Sequence, residues 1–239
     1  MKLTYDLHIH SCLSPCADDD MTPENIAGMA HLNHLHVAAL TDHNTCRNCE
    51  AFLKAAARYG IFGICGMELT TAEEVHAVCL FPSLERAMDF DAYVADRRLL
   101  LQNTPELFGR QLLYAPDDQP AGEYDPLLLC ATDISFSALT HLLPEFGGIY
   151  FPAHIDKPSN SLLSNLGFIP YDSEFSFYEL SSRCTEDRQQ ELLERNPRLV
   201  PCSPLWNSDA HSLGQIKEGG IPLEADDVTF ASLFRTAPC

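Results

Sequence analysis

Short runs of consecutive apolar residues alternate along the chain with segments in which apolar positions recur every three to four residues, a pattern that predicts strands alternating with helices. The first run covers 3–7. Thr22-Pro23-Glu24 then supplies an N-cap, a proline at the first helical position and an acidic first turn, predicting a helix over 22–32. A strand over 37–40 runs into Thr41-Asp42-His43, and an alanine-rich helix over 47–59 ends at Gly60, a residue suited to the left-handed position after a helix. Strands over 61–65 and 75–81 follow, the first leading into Gly66-Met67-Glu68, and 83–101 reads as helical. Residues 102–130 carry no regular period and are broken by Pro105, Pro116, Asp117, Asp118, Pro120 and Gly122, so they read as an insertion or lid. A helix capped by Ser135 or Ser137 ends near Gly147-Gly148. Beyond it come strands over 149–153, leading to His154, over 176–180 and over 199–200, and a segment near Trp206 that leads to Asp209-Ala210-His211.

Strands alternating with helices predict βαβ units and hence an α/β fold with a parallel sheet or barrel. No linker, repeat or charge block divides the 239 residues, so one barrel domain over 1–239 is expected, a length such barrels reach undivided. The residues after Met1 offer no signal-like segment and no apolar run approaches membrane-spanning length, which points to a cytoplasmic protein with no membrane partner. The ten cysteines are dispersed through a chain long enough to bury its own core and read as thiols. The net charge of −19 argues against broad attraction to a phosphate backbone, so no stable nucleic-acid partner is expected. Bound cations would change this locally, presenting a positive pocket to an anionic substrate within an acidic protein.

Metal-ligand residue types recur at or beside the predicted strand ends: His8 and His10, His43, Glu68, His76, His154, then Asp209 and His211. In a βα barrel these ends converge on one face. His8 and His10 are two residues apart, as are Asp209 and His211, so each pair projects to one side of an extended backbone. A lone histidine at a strand end is more often a hydrogen-bonded polar residue than a ligand; six of the ten histidines in such positions, beside a glutamate and an aspartate, weigh the other way. His31, His34, His36 and His141 fall within or beside helical segments and are set aside.

The segments Asp6-Leu7-His8-Ile9-His10-Ser11, Thr41-Asp42-His43-Asn44, Glu68, His76, Pro152-Ala153-His154 and Ser208-Asp209-Ala210-His211, in that order, resemble the PHP (polymerase and histidinol phosphatase) phosphoesterases over nearly the whole chain. The resemblance implies a distorted, TIM-like (β/α)7 barrel holding two or three divalent ions, zinc, manganese or iron, at the C-terminal ends of its strands. One ion would take His8, His10, Glu68 and Asp209, a second His43 and His211, and Glu68 would bridge to a third held by His76 and His154. Family members often place a His or Asp ligand in the loop after the His-x-His pair. Here the loop offers Cys16, the preferred ligand because a thiolate suits zinc or iron, with Asp18, Asp19 and Asp20 close behind as ligands for a harder ion such as manganese. A rival use of the thiols is a structural zinc site made from Cys12, Cys16, Cys46 and Cys49.

The implied activity is hydrolysis of a small phosphate ester, a phosphomonoester, nucleotide or nucleotide end, by attack of metal-activated water. Asp42, beside His43, is a candidate general acid or base or an orienting residue. Lys157 and Arg183 are candidate phosphate donors, with Asn44 and Ser182 weaker ones. An amidohydrolase-type enzyme attacking a C–N or C–O bond is the alternative, but such barrels commonly bridge their metals through a carbamylated lysine. None of Lys2, Lys54, Lys157 and Lys217 stands where a bridging ligand is wanted, whereas Glu68 does. A noncatalytic metal-binding regulatory module is the third reading.

Overall fold

Apolar runs buried on both faces mark the central strands. The structure is a computed structural model and describes residues 1–217 and 222–235. Strands β1 (Tyr5–Ile9), β2 (Val37–Leu40), β3 (Phe62–Thr70), β4 (His76–Phe81) and β5 (Ile149–Pro152) form one five-stranded sheet in that order. β6 (Phe177–Leu180) and β7 (Ser203–Trp206) pair in parallel beside it, and a parallel bridge from Ile9 to Ala210 ties the end of that pair back to β1. The result is a mixed α/β fold whose sheet curls into an incompletely closed barrel.

One apolar cluster takes side chains from all seven of these strands, among them Tyr5, Leu7, Val37, Ala39, Ile64, Val78, Phe151, Phe177 and Leu205, and fills the inside of the curl. The alternate residues, including Ala38, Leu40, Cys65, Met67, Ala77 and Cys79, face a second cluster shared with helices α1 (Pro23–Leu32), α2 (Cys49–Arg58) and α3 (Leu84–Ala95). This two-sided burial is the period-two expectation for strands covered on both faces. α4 (Leu139–Glu145) and α5 (Glu186–Arg195) complete the larger helices.

The parallel pattern holds for β1, β2 and β3 and breaks at β4, which runs antiparallel to both β3 and β5. Only residues 71–75 join β3 to β4, too few for a crossover connection, so the chain must turn back as a hairpin. β3 is also longer than predicted: it runs on through Gly66-Met67-Glu68, which places Glu68 inside the strand, paired with Val78.

Other boundaries move for local reasons. The Thr22 hydroxyl accepts from the Asn25 N–H and opens α1 as predicted. α2 begins at Cys49, because the Asn48 side chain is committed elsewhere, donating to Ser11 Oγ and Leu112 O and accepting from the Tyr114 N–H. α3 stops at Ala95; beyond it the backbone pairs with 126–132 instead, through Leu99 N–H to Ala131 O and Leu127 N–H to Leu101 O. The strand expected at 199–200 is a 3-10 turn over Pro197–Leu199, and β7 lies farther on. Within 102–130 the chain forms a short helix, Pro105–Phe108, and a hairpin of Leu112–Tyr114 with Pro120–Glu123. Among the described residues no helix is long and apolar enough to cross a membrane.

Candidate metal centre

The chain ends of β1, β2, β5 and β7 meet at one face of the curl, carrying His8 and His10, His43, His154, and Asp209 with His211. His76 reaches the same face although it opens its strand, because β4 runs the opposite way. Ligand atoms converge in three overlapping groups: His8, His10, Glu68 and Asp209; His10, His43 and His211; and His43, Glu68 and His76.

Glu68 is the centre of the arrangement. Its Oε1 lies 2.8 Å from His76 Nδ1, 3.1 Å from His154 Nε2 and 3.3 Å from His8 Nε2, and its Oε2 lies 2.9 Å from His43 Nδ1 and 3.5 Å from His10 Nε2. Burial pushes this carboxyl up, but His76, His8 and His43 outweigh it and hold the group well below the usual carboxylate range. Asp209 behaves likewise: burial opposes ionisation, and His8 and His10 overcome it. Burial, with His211 and His43 nearby, holds His10 well below the usual imidazole range, leaving a lone pair on a neutral ring.

The donor set fits cations. His8 Nε2 and His10 Nε2 are 3.1 Å apart, and each lies 3.3 to 3.4 Å from Asp209 Oδ1. Ligands in tetrahedral array at bonds of about 2.0–2.1 Å stand roughly 3.3–3.4 Å from one another, and the contacts of His8 and His10 with each other, Glu68 and Asp209 span 3.1 to 3.5 Å. His43 Nδ1 is buried and makes no hydrogen bond despite its closeness to Glu68, as expected when two donors aim at a common third point. Asn44, His154 and Asp209 take left-handed φ values of 50°, 29° and 51°, a conformation uncommon for non-glycine residues but most accessible to Asn, Asp and His.

Orienting contacts lie behind the ligands. Both Asp42 oxygens face away from the cluster and accept from Ser11 N–H at 2.7 Å, Ser14 Oγ at 2.7 Å and Ser11 Oγ at 2.6 Å. Ser14 Oγ in turn meets His10 Nδ1 at 3.0 Å and accepts from the His43 N–H. Asp42 therefore holds a loop that aims two histidines. Glu179, absent from the sequence reading, lies 3.0 Å from His8 Nδ1 through each of its oxygens. Its only signal in the sequence is a charge inside the apolar run of β6.

Lys157 pairs with Asp209 at the half-exposed rim of the cluster. Arg183 is exposed and its side chain reaches none of these groups; Ser182 is exposed as well. Asn44 is turned inward, donating to Leu128 O and Cys130 O and accepting from the Thr70 N–H, so it stitches 102–130 to the site instead of offering donors to substrate. Cys16 is not among the converging ligands. The turn from Ser11 to Ala17, closed by Ser14 N–H to Ser11 O and Ala17 N–H to Ser14 O, leaves the residue exposed, and Asp18, Asp19 and Asp20 are exposed beside it. His10 takes the third place beside His43 and His211. No four-thiolate group forms among the described residues either, since Cys46 and Cys49 are buried with their thiols directed at Gly66 O.

A family model for the PHP domain matches residues 6–166. A search of curated protein sequences finds no match. Among solved structures, the lesion-specific endonuclease Q of Pyrococcus furiosus superposes with a TM-score of 0.68 at 21% identity over 98% of this chain and 55% of its own. This chain thus spans about half the length of endonuclease Q. A second structure of endonuclease Q, with a 27-mer duplex carrying an abasic lesion at the active site, gives 0.69 at 21% identity over 98% of this chain and 56% of that one. A candidate metal-dependent phosphoesterase from Bifidobacterium adolescentis gives 0.60 at 18% identity over 94% and 92%. An amidohydrolase from Chromobacterium violaceum, solved with sulfate and no metal, gives 0.56 at 18% over 90% of each chain. At these identities the likeness is one of fold.

The endonuclease Q complex overturns one expectation. The net charge of −19 argues against a stable nucleic-acid partner, yet a protein of this fold holds a DNA duplex at its active site. What an anionic substrate meets is the local field of the site, which bound cations dominate, so the charge of the whole chain does not decide the matter. The histidines and carboxylates gathered around Glu68 and the match over 6–166 lead to one conclusion: this chain belongs to the PHP domain family.

Proposed function

We propose that this chain is a metal-dependent phosphoesterase that hydrolyses a phosphoester of a nucleotide, either free or within a nucleic-acid strand. The observation that carries the reading is the approach of five imidazoles to the single buried carboxylate of Glu68. Divalent ions bound there would lower the pKa of water toward neutrality and neutralise charge on a phosphate. His8, His10, Glu68 and Asp209 are the residues proposed to hold one ion, His43 and His211 with His10 a second, and Glu68 with His76 and His154 a third. Ser14 and Glu179 keep His10 and His8 turned so that Nε2 of each faces the ions.

Lys157 stands at the rim to meet the incoming phosphate, and Asp42 acts through Ser14 without touching substrate. Two observations favour phosphorus over a carbon centre. The position shared between the groups is filled by the carboxylate of Glu68, and Lys157 is spent on Asp209 instead of lying between them. The duplex-bound endonuclease Q supports extending the substrate from a free nucleotide to one within a strand.

The test is a hydrolysis screen of the manganese- or zinc-loaded protein on an aryl phosphate, a nucleoside monophosphate, and DNA duplexes with and without an abasic site. Turnover of at least one, abolished by chelation and restored by metal, is the expected result. A fully metallated protein that turns over none of them refutes the proposal.

A further inference from the structure

Glu179 in β6 is fully buried, and four contacts converge on its carboxylate. His8 Nδ1 lies 3.0 Å from each oxygen, the backbone N–H of His154 donates to Oε2 at 2.8 Å, and Asn207 Nδ2 donates to Oε1 at 2.7 Å. Among the described residues His8 is its only ionic partner. His8 presents its other nitrogen to Glu68 and Asp209. His154, held at a left-handed φ of 29°, presents Nε2 to Oε1 of Glu68, the oxygen that His76 also approaches. One carboxylate therefore fixes the ring of His8, a member of one converging group, and the backbone of His154, whose ring meets the Glu68 oxygen that His76 also approaches.

We infer that Glu179 is a positioning residue that couples two ion positions, the one at His8, His10, Glu68 and Asp209 and the neighbouring one at Glu68, His76 and His154. The inference rests on the reading that this cluster holds ions. The physical reason is that three N–H donors meet at one acceptor-only group with room for about four hydrogen bonds. An amide in its place has one oxygen and an NH2, so one neighbouring donor faces another donor. Asn207 cannot turn over to relieve this, because its Oδ1 already accepts from the Leu7 N–H at 2.9 Å, and the His154 N–H is fixed in the backbone. Glu179→Gln must leave either the His154 backbone or Asn207 unpaired whichever way it rotates, while also weakening the hold on His8. Loss of the carboxylate partner of a ligand histidine commonly lowers metal affinity about tenfold to a hundredfold.

The test is zinc titration against a competing chelator, with metal per chain measured on folded protein, for wild type, Glu179→Gln, Glu179→Asp and His154→Ala. The expected result is that His154→Ala loses one ion and keeps the ion at His8. Glu179→Gln weakens both positions together by about tenfold or more, and Glu179→Asp, which keeps the charge, restores part of the loss. Imidazole 15N spectra of the zinc-loaded protein should show His8 protonated at Nδ1 in wild type and a displaced Nδ1 resonance in Glu179→Gln. Wild-type zinc affinity at both positions in Glu179→Gln, or loss confined to the His8 position, overturns the coupling. If Glu179→Gln does not fold, Asn207→Ala, which removes one donor and leaves the carboxylate, should weaken both positions by a smaller factor, and unchanged binding in it overturns the inference. Wild type that binds no zinc overturns the parent reading along with this one.

Discussion

A buried carboxylate ringed by imidazoles draws protons or cations into the space between them, and Glu68 has five such neighbours. The residues around it divide into those that face the proposed ions and those that aim them. Asp42 is of the second kind. Removing it strands three buried donors from Ser11 and Ser14, so Asp42→Ala should lower stability by about 1–3 kcal/mol, read as a shift in a urea melt, and loosen His10 and His43. Lys157 is of neither kind. Lys157→Ala should leave bound metal unchanged and lower kcat/KM about tenfold or more, the worth of one charged hydrogen bond, whereas the exposed Arg183→Ala should change little. Loss of metal in Lys157→Ala would contradict that assignment. The histidines and carboxylates that converge were legible from the sequence because their types recur at strand ends. Glu179 and Ser14 were not, since an orienting residue touches the chemistry only through another side chain and carries no spacing of its own. Cys16, whose chemistry suits a metal, lies outside the converging groups.

Elements bring these side chains together in ways that hydrophobic period alone does not reveal. The strand positions in β1, β2, β4, β5 and β6 follow from apolar runs, but direction does not, and the antiparallel course of β4 is what delivers His76 to the common face. The length of the 71–75 connection was the available clue. Residues 102–130 had no period because they lie against loops, held by Asn44, Asn48 and Cys12 through backbone groups. Gly109 packs directly against the loop after His10, and its φ of 101° and position leave no room for a side chain: an added Cβ would stand 1.9 Å from Pro15 O. Gly109→Ala should therefore push this segment away from the loop that follows His10. Hydrogen exchange is the check, with faster exchange over 105–124 and unchanged protection in β2 and β3. Uniform protection throughout would show that the contact does not hold the segment.

The molecule as a whole is acidic, and ions bound at the proposed site would set the local field that an anionic substrate meets. If ions bind the folded chain and not the unfolded one, they stabilise it by about 2.7 kcal/mol at a hundred times their dissociation constant. Chelation should accordingly lower Tm by several degrees, and a Tm indifferent to chelator would argue against a site formed by folding. The most direct measurement is metal per chain in protein purified without added metal, wild type beside Glu68→Ala, with folding checked by circular dichroism. At least about two ions per wild-type chain are expected, as a two-metal site requires, with loss of them in a folded Glu68→Ala chain. A wild type free of metal, or a variant that keeps its full complement, would contradict the proposed metal centre.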